Sequence, residues 1–353
     1  MPAAGSATRG NPQSNRATAI QLWIIGSLVP LAFIFNGPLG RSDFSAFWVA
    51  GNQVLAGEIT NIYSTVATQV YSTQLGLAQP TVFPYPPHAL FLFIPFALFP
   101  YIPGYLVWNL ASATFFCWAA RPYMPNGLPK ILSIFTPAAL ICIDFGQTGL
   151  IFGALWLLAF RGKWAAVAAM TFKPHLGVLS ILALRGRPAL IKTILLASAL
   201  IVASALIFGP RLWLGFVEHS ILHGERMVWM KRWLFAGVGP AMAYKLWGWV
   251  PFAAAGALIL ARNVNCFTVS TASFLIAPYA FHYDMPVAAL GYGLLVFNHW
   301  DEMPIRHRLA VALGFLSPEI AIVGAWWVPP ILLSALWTQV QYDTDTNLFR
   351  TAR

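Results

Sequence analysis

The chain has 353 residues, of which 58% are hydrophobic and only 9% are charged, whereas soluble domains average about 25% charged residues. This composition excludes a water-soluble protein and indicates a chain embedded in lipid, where the 15 Trp and 26 Phe suit the membrane interfaces and the gaps between helices. The formal net charge is +10, but the 21 Lys and Arg residues are scattered between apolar stretches, which argues against nucleic-acid binding.

The N-terminal part of the chain combines a polar stretch with an apolar one. Residues 1–16 are polar and rich in Gly, Pro, Ser and Asn, which predicts a disordered cytoplasmic tail. Residues 17–35 are long and apolar enough to cross a bilayer, and no signal-peptide cleavage site follows them, so they predict the first transmembrane helix. Residues 36–85 are polar and turn-rich, which predicts an outer loop.

Short apolar runs alternate along the next part of the chain. Residues 86–100 are interrupted by Pro95, which predicts a helix lying in the membrane interface, and residues 101–120 return to the cytoplasm. Residues 131–160 predict a helical hairpin with its outer turn at Asp144–Gly149.

One long apolar stretch, residues 164–184, is interrupted by Lys173, Pro174 and His175. The interruption predicts a hairpin of two short half-helices with Lys173 on the outer side. A membrane tolerates such half-helices where their backbone lines a cavity.

The C-terminal half continues the alternation. A further helix leads out to a second, strongly charged outer loop at residues 209–235, and residues 266–297 predict a hairpin with its outer turn at Tyr279–Asp284. Two last helices return the chain to a cytoplasmic tail, residues 342–353. The sequence therefore predicts an all-α polytopic membrane protein with one transmembrane domain, residues 17–341, of about 10–12 transmembrane helices and with interfacial helices in the first outer loop.

The distribution of positive charge supports this threading, because short cytoplasmic loops collect Lys and Arg. Fourteen of the 21 basic residues fall on the predicted cytoplasmic side. They are Arg9, Arg16, Arg121, Lys130, Arg161, Lys163, Arg185, Arg187, Lys192, Arg262, Arg306, Arg308, Arg350 and Arg353. The other seven need a different role.

Asp43 follows the first predicted helix and precedes a short amphipathic stretch that ends at Glu58. One interpretation is a helix N-cap, because an Asp side chain at that position accepts a hydrogen bond from a free backbone N–H group. The other is a general base that takes a proton from an attacking hydroxyl at the membrane surface. The residues alone leave both open.

Two groups of cations are candidates for binding an anion. Lys173 lies in an apolar stretch, where a charge is costly and is a functional hypothesis by default, unless its side chain reaches the interface. Arg226, Lys231 and Arg232 alternate with Trp residues in the second outer loop. They either grip a lipid phosphate through charge-assisted bonds or lie on phospholipid headgroups.

The other polar candidates lie where predicted helices begin or end. Tyr85 and His88 belong to a proline-rich stretch that is rigid and extended, which also suits a simple corner between loop and helix. Gln147 suits a sugar contact or a helix-start turn, and His282 and Asp284 suit a polar cap or an active site. No acidic pair with the spacing of a metal site occurs in the first outer loop, so we expect no obligatory metal.

Several short motifs, taken in order, resemble glycosyltransferase family 87. They are Asp43-Phe44, Gly57 ahead of Tyr63, Tyr85-Pro86-Pro87, Gly146-Gln147, Lys173-Pro174 and His282-Tyr283. That family belongs to the GT-C class and includes polyprenyl-phosphate-mannose-dependent mannosyltransferases of actinobacteria. The resemblance covers residues 18 to 300, and the chain departs from it at Gly149, where many members have Asn, and in lacking a second histidine beside His282.

The resemblance implies an inverting transfer of a hexose, mannose-like, from a polyprenyl phosphate to a lipid-linked or glycan hydroxyl. It implies no cofactor, a periplasmic active site in a bacterial inner membrane, and membrane lipids, donor and acceptor as partners. It implies Asp43 as the base. The expected donor-phosphate residues are Lys173, His282, Arg226, Lys231 and Arg232, and the expected sugar or acceptor residues are Glu58, Tyr85, His88, Gln147, His175 and Asp284.

Two other functions are compatible with a polytopic chain. A transporter or lipid flippase is expected to show inverted repeats and sites near the bilayer midplane, whereas the candidate residues here gather at one face. A non-catalytic scaffold leaves Asp43 and Lys173 without a role.

Overall fold

A computed structural model describes residues 12–37, 43–74, 82–226, 228 and 236–342 of the chain. Within these ranges the chain is helical, and the one β-type pairing is an isolated antiparallel bridge between Gly237 and Phe281. The predicted all-α polytopic fold is therefore confirmed.

The described ranges contain sixteen α-helices, several of them joined by short 3-10 helices. The α-helices are α1 (Pro12–Asn36), α2 (Phe44–Leu55), α3 (Thr65–Gln74), α4 (Leu90–Ala97), α5 (Tyr101–Ala120), α6 (Pro137–Phe145), α7 (Gly149–Phe160), α8 (Trp164–Ala169), α9 (Pro174–Gly177), α10 (Gly186–Phe208), α11 (Pro210–Glu225), α12 (Pro240–Leu260), α13 (Cys266–Ile276), α14 (Pro286–His299), α15 (Ile305–Val323) and α16 (Val328–Gln341). The 3-10 helices are Ile59–Asn61, Pro87–Ala89, Lys130–Ile134, Met170–Phe172, Val178–Ala183, His282–Asp284, Trp300–Glu302 and Ala325–Trp327.

The first helix begins earlier than the sequence predicts. Helix α1 starts at Pro12, so residues 12–16 belong to the helix and not to a disordered tail. Proline is tolerated there because the first turn leaves its N–H groups unbonded. Residues 1–11 of that predicted tail, and the C-terminal tail from residue 343, lie outside the described residues.

Helix α1 has one face against protein and one face suited to lipid. Trp23 is 1% exposed, and its indole Nε1 donates to the Leu132 carbonyl at 2.9 Å. The side chains of Ile24, Ile25 and Leu28 are each more than half exposed. A stripe of large exposed apolar side chains along a helix of this length fits contact with a bilayer.

Two helices in the described ranges are long and apolar enough to cross a membrane alone, Gln13–Asn36 and Gly186–Phe208. Segments Pro87–Ala97 and Tyr101–Ala120 form a third span if they are counted together, but they meet at a bend of 116°. That bend agrees with the predicted interfacial helix followed by a return pass. Four further apolar helical segments, Gly149–Phe160, Pro174–Ala183, Trp247–Leu260 and Cys266–Ile276, are shorter than the roughly 20 residues of a full span. About 10–12 crossings therefore stays a prediction.

The break predicted at Lys173 is present. Helix α8 gives way to the 3-10 turn Met170–Phe172, Lys173 has non-helical backbone angles (φ −133°, ψ 66°), and α9 starts at Pro174. Segment Val178–Ala183, beyond α9, contacts α8. The chain therefore folds back at Lys173, as the predicted hairpin requires.

Helix α2 packs the segment that the sequence predicts as the first outer loop against the helical core. Nine of its twelve residues are buried, and it packs on α4 and α5. The rings of Phe47 and Phe93 stack with centroids 4.4 Å apart, and Trp108 lies beside them, fully buried. These contacts fix the end of α2 that carries Asp43.

Candidate active site

Asp43 stands at the start of α2, and its carboxylate bonds to a distant part of the chain. The side chain makes no capping hydrogen bond to α2, and the residue has helical backbone angles (φ −63°, ψ −13°). Its Oδ2 atom accepts a hydrogen bond from Gln147 Nε2 at 2.8 Å. The N-cap interpretation therefore does not account for this carboxylate, and the structure joins Asp43 to Gln147 across 104 residues of sequence.

Gln147 reaches Asp43 because the turn before it lies tightly against α2. Helix α6 ends at Phe145 and is capped by Gly146, which has left-handed backbone angles (φ 59°, ψ 33°). A Cβ atom there would approach the Phe44 Cβ to 2.7 Å, so only glycine allows this contact. Trp108 Nε1 donates to the Gly146 carbonyl at 2.9 Å and holds the turn from the other side.

Behind Gln147 lies a buried cluster of four more polar side chains. Lys173 Nζ is 2.5 Å from Asp284 Oδ1 and 3.4 Å from Thr148 Oγ1. The Tyr85 hydroxyl is 2.7 Å from Thr148 Oγ1 and 3.3 Å from Gln147 Oε1. The structure thus brings four of the predicted site residues, Tyr85, Gln147, Lys173 and Asp284, together with Asp43.

Asp284 reaches the cluster through a short connection between α13 and α14. The backbone N–H of His282 donates to the Ala236 carbonyl at 3.0 Å, and that of Val238 donates to the Ala280 carbonyl at 3.0 Å. The Phe281 N–H donates to Asp284 Oδ2 at 3.4 Å. These bonds hold the carboxylate of Asp284 toward Lys173.

Gly149 is the point where this connection meets α7. A Cβ atom on Gly149 would lie 1.9 Å from the Tyr283 carbonyl oxygen, far inside van der Waals contact. An asparagine side chain, which the resemblance leads us to expect at this position, does not fit this geometry. This position requires glycine because the start of α7 lies so close to residues 282–284.

Gly149→Ala is expected to lower thermal stability and activity together, because the added methyl group must push Tyr283 and its neighbours away from α7. Overpacking of this kind typically costs about 1–3 kcal/mol. The melting temperature of the detergent-solubilised variant measures the effect. Gly224→Ala is the matched control, since a Cβ atom at Gly224 meets nothing within 4 Å. Equal melting temperatures for the two variants would contradict the contact.

His282 occupies a different environment from the one expected of a phosphate ligand. Its ring is 1% exposed and lies 5.6 Å, centroid to centroid, from Phe145. Burial lowers the pKa of its imidazole to about 3. At neutral pH this histidine is therefore uncharged and offers a hydrogen bond but no positive charge.

Arg226 lies apart from this cluster, on the wall of a cavity of about 790 Å³. The cavity is formed where residues 59–65 face α11, and Arg211 and His219 also line it. Burial and the nearby Arg226 guanidinium lower the pKa of His219. Lys231 and Arg232, the other members of the predicted basic group, lie outside the described residues.

Tyr63 connects the cavity with the buried cluster. It lines the cavity, and its hydroxyl donates to the Tyr85 backbone carbonyl at 2.6 Å. Burial raises the pKa of this hydroxyl, so it stays protonated as a donor. The cavity wall is thus bonded directly to a residue of the Asp43 cluster.

Three predicted sugar or acceptor residues lie around these features and not within the cluster. Glu58 is exposed at the start of the 3-10 helix Ile59–Asn61. The His88 ring stacks at 5.7 Å on Trp213, and its Nε2 lies 3.1 Å from Thr171 Oγ1. The His175 ring stacks at 4.2 Å on Tyr279.

Thr148 is the residue that the sequence interpretation missed. It is fully buried and contacts both Tyr85 and Lys173. Its position between two residues already singled out, Gln147 and Gly149, was the available signal. Among the described residues no group of three or more His, Cys, Asp or Glu side chains is arranged to hold a metal ion.

Comparison with known proteins identifies the family. Searches of curated proteins and of solved structures found no match to this chain. The profile of glycosyltransferase family 87 matches residues 83–297, more than half of the chain and the part that contains Tyr85, Gln147, Lys173 and Asp284. This match favours a transferase over the transporter and scaffold alternatives. The chain belongs to glycosyltransferase family 87 and is a membrane glycosyltransferase.

Proposed function

We propose that this glycosyltransferase transfers a mannose-like hexose from a polyprenyl-phosphate sugar to a hydroxyl of a lipid-linked or glycan acceptor. The observation that carries the proposal is the hydrogen bond that the Gln147 amide donates to Asp43. This carboxylate is half-buried and stands at the start of α2, where it makes no capping hydrogen bond. Asp43 is the general base in this reaction.

The proposed step is a single displacement with inversion at the anomeric carbon. The acceptor oxygen forms the new bond to that carbon while Asp43 takes the hydroxyl proton. The bond between the anomeric carbon and the phosphate oxygen breaks, and polyprenyl phosphate leaves with the bonding electrons. A positioned base contributes typically about 100- to 10,000-fold to such a step. The reaction uses the lipid-linked sugar as its donor and no resident cofactor or metal.

The cavity beside Tyr63 is the proposed place for the donor phosphate. Its wall carries the guanidinium of Arg226, and a guanidinium matches phosphate oxygens with paired hydrogen bonds. Lys231 and Arg232 follow within six residues and are proposed to add to the same positive field. The neutral His282 imidazole is proposed to contribute a hydrogen bond and no charge.

The surroundings of the cavity suit a lipid chain. Leu206 and Ile207 near the end of α10 and Leu214, Val217 and Ile221 on α11 are all more than half exposed. These side chains place apolar surface next to the charged wall, as an amphiphile with a phosphate headgroup requires. Membrane lipids are accordingly proposed as further contacts of this region.

The reaction is proposed to occur on the periplasmic side of a bacterial inner membrane. The support is the distribution of Lys and Arg in the sequence. Most of these residues lie in the loops predicted to be cytoplasmic, which favours the loop before α2 lying on the other side of the membrane. The contacts that link Asp43, Gln147, Lys173 and Asp284 agree with all four residues lying on the same side of the membrane.

Incubation of the purified protein with a panel of polyprenyl-phosphate sugars and a hydroxyl acceptor tests the proposal. We expect release of polyprenyl phosphate with one donor, dependent on the acceptor, because the phosphate is the leaving group. Mass spectrometry of the lipid fraction measures it. A sugar nucleotide in place of the lipid donor is the matched control. Turnover of the sugar nucleotide, with every lipid donor left intact, would overturn the proposed donor class.

A further inference from the structure

Five side chains form a continuous path of polar contacts from the protein interior to Asp43. Lys173 Nζ lies 3.4 Å from Thr148 Oγ1, which lies 2.7 Å from the Tyr85 hydroxyl. The Tyr85 hydroxyl lies 3.3 Å from Gln147 Oε1, and Gln147 Nε2 lies 2.8 Å from Asp43 Oδ2. We call these five residues the donor chain.

The chemistry at the two ends sets the direction of the donor chain. An ammonium group only donates hydrogen bonds, and an ionised carboxylate only accepts them. The Thr148 backbone N–H lies 3.3 Å from Gln147 Oε1, which identifies that atom as the amide oxygen and leaves the amide nitrogen facing Asp43. Thr148 then donates to Tyr85 and Tyr85 to Gln147, so every hydrogen bond points from Lys173 toward Asp43.

Burial separates Asp43 from the other members. Lys173, Thr148, Tyr85 and Gln147 are each 5% exposed or less, whereas Asp43 is half-buried. Asp43 is therefore the member of the donor chain that a substrate can reach.

The charge of Lys173 is already paired inside the protein. Its Nζ lies 2.5 Å from Asp284 Oδ1 and 5.6 Å from the ring centroids of both Tyr85 and Tyr283. A cation that is 4% exposed and bonded to a carboxylate is poorly placed to meet a lipid phosphate. The geometry favours a role within the protein over the donor-phosphate contact expected from the sequence.

We propose that Lys173, Thr148 and Tyr85 are positioning residues that orient the Gln147 amide, and that this amide in turn keeps Asp43 ionised and correctly aimed. The inference rests on the proposed function, in which Asp43 is the base. A carboxylate in a site of low dielectric tends to take up a proton and would then be unable to act as a base. Hydrogen bonds donated to the charged form oppose that tendency.

The acid limb of the pH profile of kcat/KM tests the inference. In Tyr85→Phe the ring stays in place but the donor chain is cut, so the pKa of Asp43 should rise. We expect the acid limb of kcat/KM to move up by about one pH unit. At pH values below the pKa of Asp43 in both the wild type and the variant, kcat/KM is then about tenfold lower in the variant, and well above both pKa values it is nearly unchanged. Thr148→Val should give the same shift, because it removes the hydroxyl that links Lys173 to Tyr85. The substitution should not destabilise α7, because the Thr148 side chain does not cap that helix. The double variant should shift no further than the larger single one.

Tyr292→Phe is the matched control. Tyr292 is fully buried and its hydroxyl lies 3.0 Å from Thr271 Oγ1, so it forms an equivalent Tyr–Thr pair on α13 and α14. We expect the acid limb of this variant to coincide with that of the wild type, even where its melting temperature falls.

Several outcomes separate this inference from the proposed function. A pH-independent loss of activity in both Tyr85→Phe and Thr148→Val, or an acid limb unchanged from the wild type, would overturn the donor chain. A rise in donor KM without a shift of the limb would also overturn it, because it would show direct donor contact. Full activity of Asp43→Asn would overturn the proposed function itself, whereas an inactive Asp43→Asn beside an unshifted Tyr85→Phe would remove only the donor chain.

Discussion

Asp43→Asn is expected to lower turnover by about 100- to 10,000-fold, the usual contribution of a positioned base. The amide keeps the shape of the carboxylate but cannot take the proton of the acceptor hydroxyl. Because Asp43 makes no capping hydrogen bond and Asn caps about as well as Asp, helix α2 should keep its stability. Turnover and melting temperature are measured on the same preparation, together with donor affinity, which should stay close to that of the wild type.

Asp144→Asn is the matched control for this variant. Asp144 is also a half-buried aspartate, near the end of α6 and close to the Gly146 turn, but it lies outside the donor chain. Its replacement should leave turnover within a few-fold of the wild type. A stable Asp43→Asn protein with full turnover would refute the role of Asp43 as base.

Lys173→Met is expected to have the second large effect, this time on stability. The substitution leaves the Asp284 carboxylate buried without its cation, and breaking a buried ion pair in this way costs about 3–5 kcal/mol. Removing both charges in Lys173→Met/Asp284→Leu should recover most of that loss, since replacing a buried pair by apolar side chains is often neutral. Thermal unfolding of the single and double variants in detergent measures the difference.

The same double variant separates stability from function. Methionine cannot donate to Thr148, so the acid limb of the double variant should stay shifted to higher pH although its melting temperature recovers. Lys192→Met on α10 is the control, because this lysine is exposed and forms no ion pair with any residue that the structure describes. A single Lys173→Met variant as stable as the wild type would show that the pair with Asp284 contributes little to the fold.

Local features of the sequence were enough to predict much of the fold. The apolar run before Asn36, the bend that follows Ala97 and the break at Lys173 all appear in the structure. Each depends on properties that act over a few residues: a proline that removes a backbone donor, or a charge that interrupts an apolar stretch. The polar composition of residues 12–16 predicts a tail, whereas Pro12 favours a first helical turn, and helix α1 starts at that proline.

Two further properties followed from the amino-acid sequence alone. Low charge and high apolar content determined that the chain is a membrane protein. The succession of motifs from Asp43 to Tyr283 indicated the glycosyltransferase family, and the family match confirms that family over residues 83–297, a range that does not include Asp43.

Only the tertiary structure decided which of the candidate residues work together. Gln147 reaches Asp43 across 104 positions and Lys173 reaches Asp284 across 111, and no local propensity encodes either pairing. Lys173 looked like a phosphate ligand in the sequence because its carboxylate partner was invisible there. The structure instead pairs its charge inside the protein, since a buried cation is stable only with a nearby carboxylate and further hydrogen bonds, and the close approach at Gly149 is what brings that partner within reach.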